Sequence, residues 1–151
     1  MRHYQTPLCF RKITIWLFAL CGYMAWLSAC SQVSPEDEIR ALVAEALEAA
    51  QARDTGHFRG LIAPEFVTGN GIDRARMIDI IRGFFLTNPQ VTARADWVSL
   101  ELVGTDSADI VLDLDIRGAA SGYDGRVEIE LFRDGFYWQI AGATRQAVPQ
   151  R

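Results

Sequence analysis

His57 and Asp96 are the two side chains whose type and setting could move a proton in this chain. Histidine titrates near neutrality, and His57 is the one histidine beyond the first thirty residues. Its neighbours Thr55 and Gly56 favour an exposed place at a helix start. A carboxylate enclosed in an apolar pocket has its pKa raised by desolvation and becomes a usable acid or base. Asp96 meets that condition only if its strand runs without a bulge near Trp97 and Val98; Arg94 would then turn inward with it. A bulge there sends both outward. Phe84, Phe85, Trp97, Leu112, Phe136 and Trp138 could together line a cavity for a small apolar or aromatic ligand, although aromatics at such spacings also make plain core. The Asp113-x-Asp115 pair supplies too few oxygens for calcium, which takes six to eight. The sequence therefore gives no reason to expect a metal or cofactor.

Cys30 is the remaining candidate, and its chemistry follows from what precedes it. Arg2, Arg11 and Lys12 form a basic start without acids, and an uncharged run from Ile13 leads to Leu27-Ser28-Ala29-Cys30. Basic and apolar regions in this order read as an export signal. The closing four residues resemble the lipobox of bacterial lipoproteins. That resemblance implies cleavage before Cys30, a diacylglyceryl group on its sulfur and an acyl chain on its new amino terminus. Two or more acyl chains anchor stably where one is marginal. About twenty uncharged residues could also just cross a bilayer, but the polar Ser28, Ser31, Gln32 and Ser34 and the position of the cysteine favour cleavage. Ser31 in second place implies sorting to the outer membrane, facing the periplasm. The expected organisation is a signal over 1–29, a lipidated cysteine and spacer over 30–34, one domain over 35–145 and a tail over 146–151.

Removing the signal takes Cys9 and Cys21 with it, so neither a disulfide framework nor a thiol metal site can form within the mature chain. Twelve basic residues, all arginine, then face nineteen acids, a net charge of −7. Such a balance does not suit nucleic acid or an anionic membrane surface. Roughly 120 residues suffice for one hydrophobic core.

The elements that must position these side chains are legible from periodicity. Ser34-Pro35-Glu36-Asp37 reads as an N-cap, a first-position proline and an acidic first turn. Ile39, Leu42, Val43, Ala46, Leu47 and Ala50 then recur at helical spacing, predicting a helix over 35–53. Phe58, Leu61 and Ile62 predict a short helix ending at Pro64, with a small strand over 65–68. Asp73 caps a third helix to about Leu86, with Met77, Ile80, Ile81, Phe84 and Phe85 as its apolar stripe. From Val91 the period becomes two. Ala108, Ile110, Leu112, Leu114 and Ile116 alternate with Asp109, Val111, Asp113, Asp115 and Arg117, and Val127, Ile129 and Leu131 with Arg126, Glu128 and Glu130, so the acids Asp109, Asp113, Asp115, Glu128 and Glu130 share an outer face. Asp134-Gly135 predicts a hairpin whose return strand carries Phe136, Trp138 and Ile140 on one face. Helices first and antiparallel strands after them define an α+β fold.

A long helix, a short helix ending in Pro64-Glu65-Phe66, a third helix and a meander closing on Trp138-Gln139-Ile140 is similar to the nuclear transport factor two superfamily, with its ketosteroid isomerase-like and SnoaL-like members. The resemblance spans nearly all of 35–145. It implies a cone: a curved antiparallel sheet of at least four strands wrapped around three N-terminal helices, the cystatin-like arrangement, with a pocket between. It implies no single activity. The expectation is a lipid-anchored envelope protein that binds a small apolar ligand or a partner without chemistry. The alternatives are an isomerase or SnoaL-like enzyme using Asp96 or His57, and a homodimeric assembly module joined through the outer sheet face.

Overall fold

The computed structural model describes residues 33–146. The expected signal, Cys30 and the residues after Gln146 lie outside them. Helix α1 spans Pro35–Ala52; Ser34 caps it by accepting the Asp37 N–H at 3.2 Å, and Glu36, Asp37 and Glu38 place negative charge at its positive end. Arg53, at φ 57° and ψ 36°, ends it in the left-handed region. Asp54 accepts the His57 N–H at 2.9 Å and starts α2, Thr55–Leu61. Strand β1 (Ile62–Thr68) follows without a loop, and Asp73 caps α3, Arg74–Thr87. Strands β2 (Val91–Val103), β3 (Ser107–Gly118), β4 (Gly122–Asp134) and β5 (Tyr137–Arg145) complete one five-stranded sheet in the order β1-β5-β4-β3-β2. Only the β1–β5 pairing is parallel.

Two strands each carry one extra residue. Trp97 pairs with Leu112 and Ser99 with Val111, which leaves Val98 as a bulge in β2 at the expected place. Ile140 pairs with Leu131 and Gly142 with Glu130, which leaves Ala141 as a second bulge in β5. The inner face keeps its apolar parity on both sides of each bulge. Against it α1 buries Ile39, Leu42 and Val43, facing Ala108, Ile110, Leu112, Leu131 and Trp138. Each fully buried aliphatic of this kind contributes about 1.5–3 kcal/mol. Ile62, Phe66 and Ile78 form a smaller cluster under α3.

Three expectations are corrected. The first strand begins at Ile62, before Pro64, and not at Glu65. A proline is tolerated there because β1 is an edge strand whose register shifts between Ile62 and Val67. On α3 the buried residues are Ile78 and Phe85, while Ile80 is 45% exposed. This helix packs on a narrow patch, and Ile80 falls beside it. Phe136 is no strand residue. Asp134 pairs with Tyr137, so Gly135 and Phe136 form the two-residue loop, and Gly135 at φ 63° occupies the first loop position that a type II′ turn reserves for glycine. Phe136 is 87% exposed as a result.

Asn88 is the single fully buried polar side chain among the described residues. Its amide nitrogen donates to the Phe84 carbonyl at 2.8 Å and to Ser121 Oγ at 3.2 Å, and its oxygen accepts the Ala120 N–H at 2.7 Å. It thereby ties the end of α3 to the β3–β4 loop. Asn88→Ala is expected to cost about 1–3 kcal/mol, the penalty of leaving buried backbone groups unsatisfied. Denaturant titration measures it, and an unchanged midpoint would refute the role assigned to this amide.

Candidate functional site

Between α1 and the inner sheet face lies a cavity of about 150 Å³. Leu42, Val43, Ala46, Leu47 and Ala50 wall it from α1, and Phe58 from α2. Ile110, Leu112, Leu114 and Ile116 of β3 meet Ile129 and Leu131 of β4 and Ile140 of β5 on the opposite side. Every lining residue is apolar. The sequence produces this lining locally: one stripe of α1 at helical spacing faces the inward parity of three neighbouring strands.

Of the six residues expected to line a pocket, Leu112 lines this cavity. Phe85 packs one layer out, its ring centroid 6.1 Å from Phe58 and 6.0 Å from Phe84. Trp97 packs against the main core with the Arg40 guanidinium 4.8 Å above its ring. Trp138 is buried and its indole N–H donates to Glu38 Oε2 at 3.0 Å. Phe136 stands outside on the hairpin tip. The pocket set is thus replaced by aliphatics and Phe58, because the other large rings close the ends and flanks of the core instead of its middle.

Neither acid–base candidate reaches the cavity. Asp96 is exposed and pairs in register with Asp113 on the outer face, as the Val98 bulge requires. His57 is 44% exposed, with Nε2 3.8 Å from Glu45 Oε2 on the solvent side of α1. Sequence reasoning passed over Tyr123, which pairs with Ile116 at the β3–β4 loop end of the inner face. Its hydroxyl is buried without a hydrogen-bond partner among the described residues, and the Arg145 guanidinium lies 4.6 Å from the ring. Tyr123 continues the inward parity of Val127 and Ile129, a signal the intervening Gly125 hides.

Two surface features flank the cavity. A groove of about 390 Å³ runs between α1 and the start of β5, bordered by Glu38, Ala41, Glu45, Gly60, Phe136, Tyr137 and Gln139. On the outer sheet face Arg126 grips Asp113 through two hydrogen bonds of 2.8 Å, and Arg117 pairs with Asp115 at 2.7 Å. Further along, Glu101, Asp109 and Glu130 stand directly opposite one another on three strands. Among the described residues no group of His, Cys, Asp and Glu side chains is arranged to hold a metal ion.

No protein-family model matches the chain, and no curated protein does. Solved structures do. Bd1075 of Bdellovibrio bacteriovorus superposes with a TM-score of 0.66 at 9% identity over 75% of this chain, which spans 40% of that larger protein. A candidate scytalone dehydratase from Novosphingobium aromaticivorans gives 0.65 at 8% identity, covering 74% of this chain and 82% of that one. An NTF-2 like protein of unknown function from Shewanella oneidensis gives 0.60 at 15% identity, covering 76% of this chain and all of the other. The domain therefore has the nuclear transport factor two-like, cystatin-like fold that the order of its elements resembles.

The Arg126 hydrogen bonds, aided by its charge and opposed by some desolvation, hold the Asp113 carboxyl below its ordinary value. An acid with a depressed folded-state pKa stabilises the fold above its unfolded pKa, and that contribution is lost as pH falls through the folded value. Arg126→Gln is expected to raise the Asp113 titration midpoint toward an ordinary aspartate. Carboxyl-carbon NMR titration would detect it, and an unmoved midpoint would show that the ion pair does not persist in solution.

Proposed function

We propose that the chain is a lipid-anchored envelope protein whose domain holds a small apolar ligand without transforming it. The observation that carries this reading is the cavity of about 150 Å³ with an exclusively apolar lining. Apolar cavities of that order stay dry and accept guests the size of benzene. A catalytic reading needs a group able to give or take a proton beside the bound molecule. Asp96 and His57, the groups considered for it, both lie away from the lining. The scytalone dehydratase-like neighbour shares the fold, and a fold hosts many activities. Anchoring rests on the Leu27-Ser28-Ala29-Cys30 sequence, and the outer membrane facing the periplasm is the corresponding address.

Two experiments test the two halves. Benzene titrated into the purified protein at ten times its dissociation constant is expected to add about 1.4 kcal/mol of stability, a rise of several degrees in Tm. Ala46→Leu fills the lining and should abolish that rise while the protein stays folded; an equal rise in the variant, or none in the wild type, refutes the pocket. Cys30→Ser is expected to leave an unlipidated, uncleaved precursor by mass spectrometry. Normal maturation of that variant would end the anchoring half alone.

A further inference from the structure

The β4–β5 hairpin tip carries the most exposed aromatics of the described chain, Phe136 at 87% and Tyr137 at 76%. Phe132 on the same hairpin is 40% exposed, and Val103, at the neighbouring β2–β3 turn, 52%. Those two turns lie at one end of the molecule, since the Arg133 N–H donates to the Asp106 carbonyl at 2.8 Å. The start of α1 is at that same end. Glu38, in its first turn, accepts from Arg133 Nη2 at 2.7 Å and from the Trp138 indole at 3.0 Å. The opposite end of α1 is fixed elsewhere, with the Gln51 amide reaching the Ala93 carbonyl near the start of β2. The helix therefore runs lengthwise, and its first half, from Glu38 to Glu45, stands beside the aromatic tip.

Chain length then decides which end meets the bilayer. Ser31 to Ser34 span at most about 14 Å when fully extended, whereas the 18 residues of α1 are about 27 Å long. A lipid on Cys30 keeps the first turn of α1, and with it the hairpin tip, within about 14 Å of the membrane, closer than it constrains the far end of the helix. Aromatic side chains with one polar edge favour that interfacial depth. Asp134 and Asp106 beside them, and the net charge of −7 after the signal, select zwitterionic over anionic headgroups.

We propose that Phe136 and Tyr137 form a second membrane contact, dipping into a zwitterionic lipid interface and fixing the orientation of the domain on its anchor. This rests on the lipid-anchored reading above, and the test separates the two. The mature chain has no cysteine besides Cys30, so Phe136→Cys and, at the opposite end, Ala119→Cys each offer one site for an environment-sensitive fluorophore. The full-length variants are expressed in a lipoprotein-processing host, labelled and reconstituted into phosphatidylethanolamine–phosphatidylcholine vesicles. The probe at 136 is expected to show blue-shifted, severalfold brighter emission that nitroxide-labelled lipid quenches, while the probe at 119 stays water-like. Wild-type protein that takes up the dye and has, by mass spectrometry, an unacylated Cys30 overturns the anchor and the tip contact together. Dye-inert wild type with a water-like probe at 136 overturns the tip contact alone and leaves the aromatics to a protein partner.

Discussion

Side chains on a strand alternate between two faces, so a strand that must keep one face apolar while its hydrophobic parity changes has to gain or lose a residue. This sheet meets that constraint twice. In β2, Ala93, Ala95 and Trp97 point inward up to the Val98 bulge, and Leu100 and Leu102 take over after it. In β5, Trp138 and Ile140 give way across Ala141 to Ala143, which faces Ile129. Without the first bulge, either Arg94 and Asp96 or Glu101 would turn toward α1, and a buried unpaired charge costs far more than any aliphatic contact returns. The unbroken alternation of β3 and β4 sets the apolar lining of the cavity and most of the outer acids, and the two insertions let β2 and β5 continue the same two faces.

The outer face divides into two halves with different electrostatics. Toward the β3–β4 loop, Asp113 and Asp115 have arginine partners, one of them bidentate and therefore geometrically fixed. Toward the hairpin end, Glu101, Asp109 and Glu130 oppose one another without an ion-pair partner among the described residues, an arrangement that is mildly destabilising between neighbouring strands. Glu130 lies along Gly142, whose missing side chain leaves space for the carboxylate. Exposure to solvent keeps that cost small. Like charges along this face oppose the close approach of another acidic surface.

Much of this architecture is legible in the sequence because its signals are local. Ser34 and Asp73 each cap the helix that follows, and the alternation from Ala108 to Ile116 describes a strand with one wet face. The Val98 bulge is legible too, since the inward parity changes sign there. What periodicity cannot supply is which part of an apolar face receives a neighbour. Ile80 belongs to the α3 stripe by spacing yet lies beside the contact, and Ile78 lies within it. The aromatics expected around a pocket are sorted by their polar handles and their size. Trp138 donates its N–H to Glu38, Trp97 sits under an arginine, and the small middle of the core is left to aliphatics and Phe58. Phe136 turned on a single residue of hairpin register, which the Asp-Gly signal does not resolve.

Glu38 connects these parts. Its position in the first turn of α1 places a negative charge at the positive end of the helix, and the same oxygen accepts from Arg133 and from Trp138. Two long-range contacts thus converge on one carboxylate, with side chains about a quarter exposed, 29% for Glu38 and 24% for Arg133. Such a pair is only partly screened by water, and its strength comes from shared hydrogen bonds more than from bare attraction. The consequence is geometric. The helix that walls the cavity cannot pivot away from the sheet at this end without breaking both contacts. At its other end, α1 is held by the single Gln51 amide contact to β2 and by an Arg53 hydrogen bond to the Phe85 carbonyl, each 3.5 Å long. The polar side chains Tyr123 and Arg145 lie at this same end of the sheet, where Ala93, Ile116 and Tyr123 stand side by side on three strands.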